Sequence, residues 1–242
     1  MAETAVYLRQ ANPDAWVVRD GGAVAAAIGL PIATLNGVST ERVDADPVTV
    51  ARLLDQVAAT GLPYSLQLRP GTSPALAQLA AARDMVREHD TPLMVLQDPA
   101  RLGSAQQVDG LKIRELAPEE IEPHVTVGAA AFEAPPELLR QLVAPVLGLP
   151  GTRFYLGEAN GRPVATSLGV TIGSFVVLFN IATVPADRGR GYGAAVTARA
   201  VSDGLAAGAS WSWLQSSPSG YRVYERLGYQ AIESWQVWVR QS

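Results

Sequence analysis

The chain of 242 residues has no cysteine and only two histidines, His89 and His124. Without cysteine there can be no disulfide, no thiolate nucleophile and no sulfur ligand for a metal. Two imidazoles are too few for a multi-histidine metal centre. The sequence therefore predicts a protein without a metal site.

Charged residues and long apolar runs are also scarce. Charged residues make up 17% of the chain, below the roughly 25% of an average soluble domain. The net charge of −4 gives no support for nucleic acid or an anionic membrane as a partner. The longest apolar run, AVAAAIGLPIATL, is interrupted by Gly29 and Pro31, so no run reaches the roughly 18 residues of a membrane span. The first residues do not resemble a secretory signal, and we expect a cytoplasmic protein.

The order of short motifs suggests two halves built on one plan. Three pairs match in order: segment 57–71 with 204–220, Asn36 with Asn180, and Gln67 with Gln215. Between the halves, segment 96–110 is polar, contains glycine and proline and has no periodicity, which is typical of a linker. The sequence therefore predicts an N-terminal half over residues 1–100 and a C-terminal half over residues 111–242.

Strands and helices alternate along the second half. The patterns predict a strand at 111–116, helices at 118–132 and 135–148, a hairpin that turns at Asn160-Gly161, a strand at 174–184, a helix from about Gly191 to Ala207, a strand at 210–216, a short helix at 219–227 and a strand at 234–240. Asn-Gly between apolar runs is a strong hairpin signal. Such an order predicts an α/β (α+β) fold with a mixed sheet.

The segment VPADRGRGYGAAVTARAV places three glycines and two arginines between a buried strand and a helix. Unpaired N–H groups and the positive end of the helix dipole make such a junction an anion site. Glycine lets the backbone approach phosphate oxygens closely, and the arginines add positive charge. The segment therefore predicts a phosphorylated ligand, against the alternative of a turn that uses glycine only for positive φ.

A dinucleotide-binding loop is a second interpretation, because Gly189-x-Gly191-x-x-Ala194 also satisfies that pattern. Three features count against it. The loop lies near the end of the chain, no acidic residue follows about 20 residues on to bind a ribose, and too little chain remains for a second βαβ half.

Two motifs together resemble the GNAT N-acetyltransferase superfamily. The sequence RGRGYG (188–193) behind FNIATVPAD resembles the coenzyme-binding motif of that family. The sequence SSPSGYRVYERLGY (216–229) resembles its second motif, in which a strand that separates from the first motif's strand leads to a short helix with a tyrosine. The two motifs cover about residues 175–240. The resemblance implies a GNAT-like mixed central sheet flanked by helices in each of two GNAT-like halves.

The resemblance also implies site residues, with acetyl-CoA as co-substrate. Backbone groups near Ala182 and Val184 would pair with the pantetheine arm. The pyrophosphate would bind at Arg188, Gly189, Arg190, Gly191, Tyr192, Gly193 and Ala194. Ser217 stands where many members have an asparagine that contacts the coenzyme, which weakens that contact as an inference. Tyr224 would be the general acid that protonates the departing thiolate, with Tyr221 and Tyr229 as competitors for the role.

The sequence does not identify the general base. Members of the family often have a carboxylate on the strand before the glycine loop, but here Asn180 stands there, and an amide cannot remove a proton. Asn180 can orient the amine or a water, or satisfy a sheet irregularity. Glu133, between the two predicted helices, is a base or substrate contact or else a solvated loop carboxylate. His124 is expected to be a helix-surface or packing residue and not a base.

The N-terminal half has neither the glycine loop nor the tyrosine, because Leu76 falls at the position of Tyr224. We expect it to be a degenerate half, with one active site per chain in residues 111–242. The resemblance implies an N-acetyltransferase that transfers acetyl directly to a small-molecule or peptide amine, since no cysteine is present for an acyl-enzyme. A non-catalytic acyl-CoA-binding module is the alternative. The family frequently dimerises, so a homodimer is compatible with the sequence.

Overall fold

A computed structural model describes residues 15–102 and 107–241. The first part of the chain forms β1 (Trp16–Asp20), β2 (Ala23–Ala27), β3 (Gly37–Thr40), α1 (Pro47–Ala58), β4 (Tyr64–Leu68), α2 (Pro74–Ala81), β5 (Val86–Arg87) and β6 (Thr91–Leu96). The second part forms β7 (Leu111–Leu116), α3 (Glu122–Phe132), α4 (Pro136–Val143), β8 (Thr152–Ala159), β9 (Arg162–Ile172), β10 (Phe175–Thr183), α5 (Tyr192–Ala206), β11 (Trp211–Gln215), α6 (Tyr221–Arg226) and β12 (Gln230–Arg240). The predicted α/β fold with a mixed sheet is confirmed.

Two hairpins form at turns that contain glycine, and the second is the one predicted at Asn160-Gly161. Strands β1 and β2 pair from Asp20 with Ala23 onward, across Gly21 and Gly22 at positive φ. Strands β8 and β9 pair from Ala159 with Arg162 onward, across the Asn160-Gly161 turn. Both residues of that turn have positive φ, as the tight turn between right-twisted strands requires.

The chain divides into two compact units whose bounds differ from those of the predicted halves. The N-terminal unit comprises residues 1–92 with 233–242, and the C-terminal unit comprises residues 93–232. Strand pairing explains the difference. Residues Gln236–Arg240 of β12 pair with β4, and residues Leu93–Leu96 of β6 pair with β11. Each unit therefore completes its sheet with the last strand of the other half of the sequence. A common plan for the two halves stays a prediction.

In the N-terminal unit, strands run in the order β1, β2, β3, β4 and β12. Only β3 and β4 are parallel. The core is apolar and joins one face of α1 to β4 and α2, with Leu53, Leu54, Leu66 and Leu76 among its fully buried members. Burial of these side chains is the main driving force for this unit.

In the C-terminal unit the order is β6, β11, β10, β9, β8 and β7. Only β10 and β11 are parallel. Thr166 and Ser167 show where the helices lie, because successive strand residues point to opposite faces. Thr166 Oγ1 contacts His124 of α3, and Ser167 Oγ donates to the Val196 carbonyl of α5. Helices α3 and α5 thus cover opposite faces of the sheet. Within the described ranges, no helix has the length and apolar character needed to cross a bilayer.

Asn36 is a buried structural residue of the N-terminal unit. Its Oδ1 accepts from the Ile28 amide at 3.0 Å, and its Nδ2 donates to the carbonyls of Leu30, Ile32 and Pro63 at 2.7 to 3.2 Å. We expect Asn36→Ala to lower the free energy of unfolding by about 2–4 kcal/mol, because it removes four hydrogen bonds of a fully buried side chain to the backbone. Urea denaturation of wild type and variant measures the change. The exposed Gln78→Ala is the control, with an expected change within about 0.5 kcal/mol; equal losses in both would contradict the assignment.

Candidate functional site

The candidate site begins where two parallel strands separate. Strands β10 and β11 pair only from Phe175 with Trp211 to Val177 with Trp213. Beyond this pair β10 continues to Thr183 and β11 to Gln215. The predicted separation of these strands is confirmed. The two strands leave a gap in the sheet in which backbone groups face one another without pairing, and an extended ligand can pair with them as a strand would.

A β-bulge shapes the β10 wall of this gap. The register between β9 and β10 shifts between Phe179 and Ala182, and Asn180 at the shift has φ +48°. A bulge inserts an extra residue and bends its strand. The irregularity explains why this strand separates from β11 while its pairing with β9 resumes at Ala182.

After the bulge, successive residues of β10 point their backbone N–H and C=O groups alternately toward β9 and toward the gap. The Val184 amide donates to the Val164 carbonyl at 2.9 Å, and the Val184 carbonyl accepts from the Asp187 amide at 2.9 Å. Ala182 lies two residues before Val184 and pairs with Thr166 of β9, so its backbone groups also point toward β9. The neighbouring backbone groups that face the gap are therefore those of Ile181 and Thr183. The pantetheine contact near Ala182 and Val184 stays a prediction.

The glycine loop leads from β10 into α5. A short 3-10 turn, Pro185–Asp187, precedes it, and Gly189 and Gly191 have φ of +79° and +82°, which glycine adopts without steric cost. The first hydrogen bond of α5 joins the Ala195 amide to the Gly191 carbonyl at 3.0 Å. The amides of Tyr192, Gly193 and Ala194 come before it, and no side chain caps them. These amides are donors without a side-chain cap at the position where the sequence predicts an anion site, which stays a prediction.

Gly193 is in the first turn of α5, where a side chain would have little space. A Cβ at this residue would lie 3.0 Å from Thr183 Oγ1 at the end of β10. The missing side chain keeps the end of the strand and the beginning of the helix close together. It also leaves the amides of the first turn accessible.

The arginines of the loop have partners that the sequence does not predict. Arg188 donates to the Ala131 carbonyl at 3.0 Å and to the Thr183 carbonyl at 3.4 Å, so it joins the loop to the end of α3. Arg190 and Arg162 lie 3.6 and 3.7 Å from the buried carboxylate of Asp187. Two guanidinium groups near this carboxylate, together with Arg188, leave the loop region positive, which favours an anionic ligand.

Sequence reasoning missed Asp187 and Arg162. Arg162 directly follows the Asn160-Gly161 turn, and the pairing of β9 with β10 brings that turn close to the loop. A sequence signal was present in the acidic residue within PAD at 185–187. Its burial, with 4% of the residue exposed, depends on tertiary packing and was not readable.

Tyr224 is on α6 with its ring in the apolar cluster between α5, α6 and the sheet. Burial raises the pKa of its hydroxyl to about 12. No hydrogen bond to this hydroxyl occurs in the described part of the chain. Of the two competitors, Tyr229 holds its hydroxyl 2.6 Å from Ser212 Oγ, and Tyr221 is only half-buried. Of the three candidate tyrosines, Tyr224 is therefore the buried one whose hydroxyl has no hydrogen bond within the described residues.

Ser217 has a local structural role. Its Oγ accepts from the Gly220 amide at 3.2 Å and lies 3.1 Å from Ser219 Oγ. These bonds stabilise the turn that leads into α6 and so position the helix of Tyr224. Ser217 is exposed, and its coenzyme contact stays a prediction.

The acceptor-side residues differ in their surroundings. Glu133 is the exposed C-cap of α3 with φ +54°, two residues from the carbonyl that Arg188 binds. Asn180 is half-buried at the bulge. Neither side chain makes a hydrogen bond or ion pair within residues 15–102 and 107–241. Both are available to a ligand, and their roles stay predictions.

In the N-terminal unit, the protein's own side chains occupy the positions that correspond to the glycine loop and the gap. Asp46 caps α1 by accepting from the amides of Val48 and Thr49, so a carboxylate of the chain fills the anion site. Between β3 and β4, Thr40 Oγ1 accepts from the Arg69 amide at 3.0 Å. Leu76, at the position of the tyrosine, is fully buried. These observations agree with a degenerate half.

Comparison with known proteins identifies the fold. No family model and no curated protein matches the chain. A GCN5-related N-acetyltransferase from Kribbella flavida is similar over 100% of this chain and 95% of its own, with a TM-score of 0.75 and 22% identity. A GCN5-related N-acetyltransferase from Sphaerobacter thermophilus covers 91% and 80%, with a TM-score of 0.65 and 15% identity. A tandem GNAT protein from the clavulanic acid biosynthesis pathway covers 93% and 82%, with a TM-score of 0.60 and 16% identity. The chain therefore has the GNAT fold along its whole length, as the resemblance implies.

In the described residues no group of three or more His, Asp or Glu side chains is arranged to hold a metal ion. His124, the one buried histidine among them, instead packs its ring edge-on against Phe154. Its Nδ1 lies 2.5 Å from Thr166 Oγ1, which in turn donates to the Tyr155 carbonyl at 2.8 Å. Nδ1 therefore holds the ring proton. The expectation of a packing role is confirmed.

Burial lowers the pKa of His124 to about 4, against about 6.5 in the unfolded chain. Between these values the unfolded state binds a proton that the folded state does not, so stability falls as the pH falls. Between pH 7 and pH 5 we expect protonation of His124 in the unfolded state to lower the wild-type free energy of unfolding by about 2 kcal/mol. Urea denaturation of wild type and His124→Gln at both pH values isolates this contribution. The free energy of unfolding of the variant should fall by correspondingly less than that of wild type. Exposed His89→Gln is the control and should keep the wild-type loss, and an equal loss in all three proteins would refute the assignment.

Proposed function

We propose that the chain is an N-acetyltransferase that moves an acetyl group from acetyl-CoA directly to an amine on a small molecule or peptide. The carrying observation is that the uncapped glycine loop lies at the mouth of the gap between β10 and β11. The loop offers amides and arginines for the pyrophosphate. The gap offers the backbone groups of Ile181 and the amide of Thr183, whose carbonyl Arg188 contacts, for the pantetheine arm, which would complete the interrupted sheet.

In the proposed reaction, the nitrogen of a neutral amine attacks the thioester carbonyl carbon. A C–N bond forms, and the C–S bond breaks. The departing thiolate takes a proton from the Tyr224 hydroxyl, which regains one from solvent. The raised pKa of Tyr224 keeps that hydroxyl protonated at neutral pH, as a general acid requires. The acetylated nitrogen loses its proton to water or, through water, to Glu133.

The strand that lines the site has no carboxylate, and Asn180 cannot serve as a base. This supports deprotonation by solvent in an enzyme. It equally favours the second candidate function, a module on the same fold that binds acyl-CoA without turnover. The two candidates share coenzyme binding and differ in the role of Tyr224, so separate experiments test them.

Coenzyme binding is tested by calorimetric titration of acetyl-CoA. We expect saturable binding of roughly one ligand per chain, because only the C-terminal unit has an open loop. Gly193→Asp should weaken binding by about 100-fold or more, since it places a carboxylate beside the phosphates. Val48→Asp puts the same carboxylate at the second position of α1 in the N-terminal unit and should leave binding unchanged. Equal binding by all three proteins would remove the loop from the site, and binding of NADH in place of acetyl-CoA would favour the dinucleotide interpretation.

Catalysis is tested by Tyr224→Phe with an amine found by screening. We expect kcat to fall by about 10²- to 10⁴-fold, as for loss of a general acid, while the acetyl-CoA Kd stays within about twofold because the ring is kept. Thiol release measures the rate. Tyr221→Phe and Tyr229→Phe are matched controls with little expected effect on kcat. Saturable acetyl-CoA binding with no turnover of any amine would instead support the binding module.

A further inference from the structure

Gln215 has a side-chain amide without a partner at the deep end of the gap. It is the last residue of β11, two positions beyond the final pair, Val177 with Trp213. It therefore lies level with Phe179 across the gap. Its Nε2 is buried without a hydrogen-bond acceptor, and its Oε1 has no hydrogen bond within the described residues. A buried donor without an acceptor destabilises a fold, so this one requires an explanation.

The alternation of β11 shows which face Gln215 occupies. Leu214 is part of the apolar cluster with α5 and α6. Gln215, as the next residue, projects from the opposite face, where α3 packs. Trp213 shares this face and lies near the Phe175 ring, with centroids 6.4 Å apart. Gln215 is thus separate from Tyr224, which approaches the gap from the α5 and α6 side.

The N-terminal unit provides an internal comparison. Gln67, which the sequence repeat matches with Gln215, also projects away from its helices, since Leu66 and Leu68 on either side are in the core with α1 and α2. Its Nε2 donates to the Thr34 carbonyl at 3.1 Å. Asn36 is likewise saturated, whereas Asn180, which the repeat matches with it, has no partner among the residues that the structure describes. The matched amides are satisfied by the protein where the strands stay paired and left unsatisfied where they separate.

We propose that Gln215 binds the acyl group by donating from Nε2 to the carbonyl oxygen of the thioester. The inference rests on the proposed function. A pantetheine arm that enters at the glycine loop runs along β10 toward Val177, so its thioester end reaches the narrow end of the gap where Gln215 lies. A donor requires an oxygen, and the acyl carbonyl supplies one there.

This contact has a consequence for the reaction. Free coenzyme A ends in a thiol and has no thioester carbonyl oxygen at that end, so Gln215 favours the acylated coenzyme over the product. A hydrogen bond to the same oxygen also polarises the carbonyl toward attack. Gln215 would act on the thioester from the α3 face, while Tyr224 acts on the sulfur from the other.

The test compares acetyl-CoA with S-ethyl-CoA, a thioether without the carbonyl, by calorimetry. We expect wild type to prefer acetyl-CoA, and Gln215→Leu to reduce that preference by about 3- to 10-fold, the range for one neutral hydrogen bond. Affinity for S-ethyl-CoA should stay the same. Gln215→Glu keeps the size of the side chain but removes the donor, so it should reduce the preference at least as much and provides the test if the leucine variant does not fold.

Gln67→Leu is the matched control in the N-terminal unit and should leave the preference at its wild-type value. An unchanged preference in both Gln215 variants, with S-ethyl-CoA still bound, would overturn the role of Gln215 while leaving the proposed function in place. If wild type binds neither ligand, the proposed function fails and this inference fails with it.

Discussion

The parallel pairing between β10 and β11 ends after Val177 and Trp213, and the candidate site depends on this short contact. Strand β11 is held on its other side by β6 from Ser212 to Gln215, so it stays ordered after it leaves β10. The bulge at Asn180 bends β10 at the same level. A gap with two ordered walls results, which a flexible loop could not provide. An extended ligand can complete a sheet only where strands are rigid and unpaired.

The glycine loop follows from the same separation. Because β10 bends away from β11 and regains its register with β9, it delivers the chain to α5 at the mouth of the gap. The uncapped amides of the first helical turn therefore lie beside the gap and form one site with it. Arg188 links this site to the end of α3, so the loop and the segment that contains Glu133 are coupled by a direct contact.

The parts of the structure that follow from local chemistry could be predicted from the sequence. Asn160-Gly161 specifies a turn, and the glycines specify a loop with positive φ that leads into α5, because each depends on a few adjacent residues. Parts that depend on long-range pairing could not be predicted. No local sequence feature shows that Gln236–Arg240 pair with β4. Likewise, none shows that the Val184 amide points toward β9 while the backbone of Thr183 faces the gap. A bulge of one residue reverses such a phase, and its position is set by packing.

The two units show that the polar groups of one strand arrangement can be satisfied by the protein's own side chains or left without partners. In the N-terminal unit, Asp46 saturates the helix amides, Thr40 bridges the strands, and Asn36 and Gln67 bond to nearby backbone. Each of these is a polar group that the protein supplies to itself. At the matching places in the C-terminal unit, glycine replaces the cap and two amides lack partners. Leaving polar groups unsatisfied costs stability, and proteins tolerate that cost where a ligand meets the same need. The open groups of the C-terminal unit therefore support the proposed binding site, and the satisfied groups of the N-terminal unit agree with the prediction of a degenerate half.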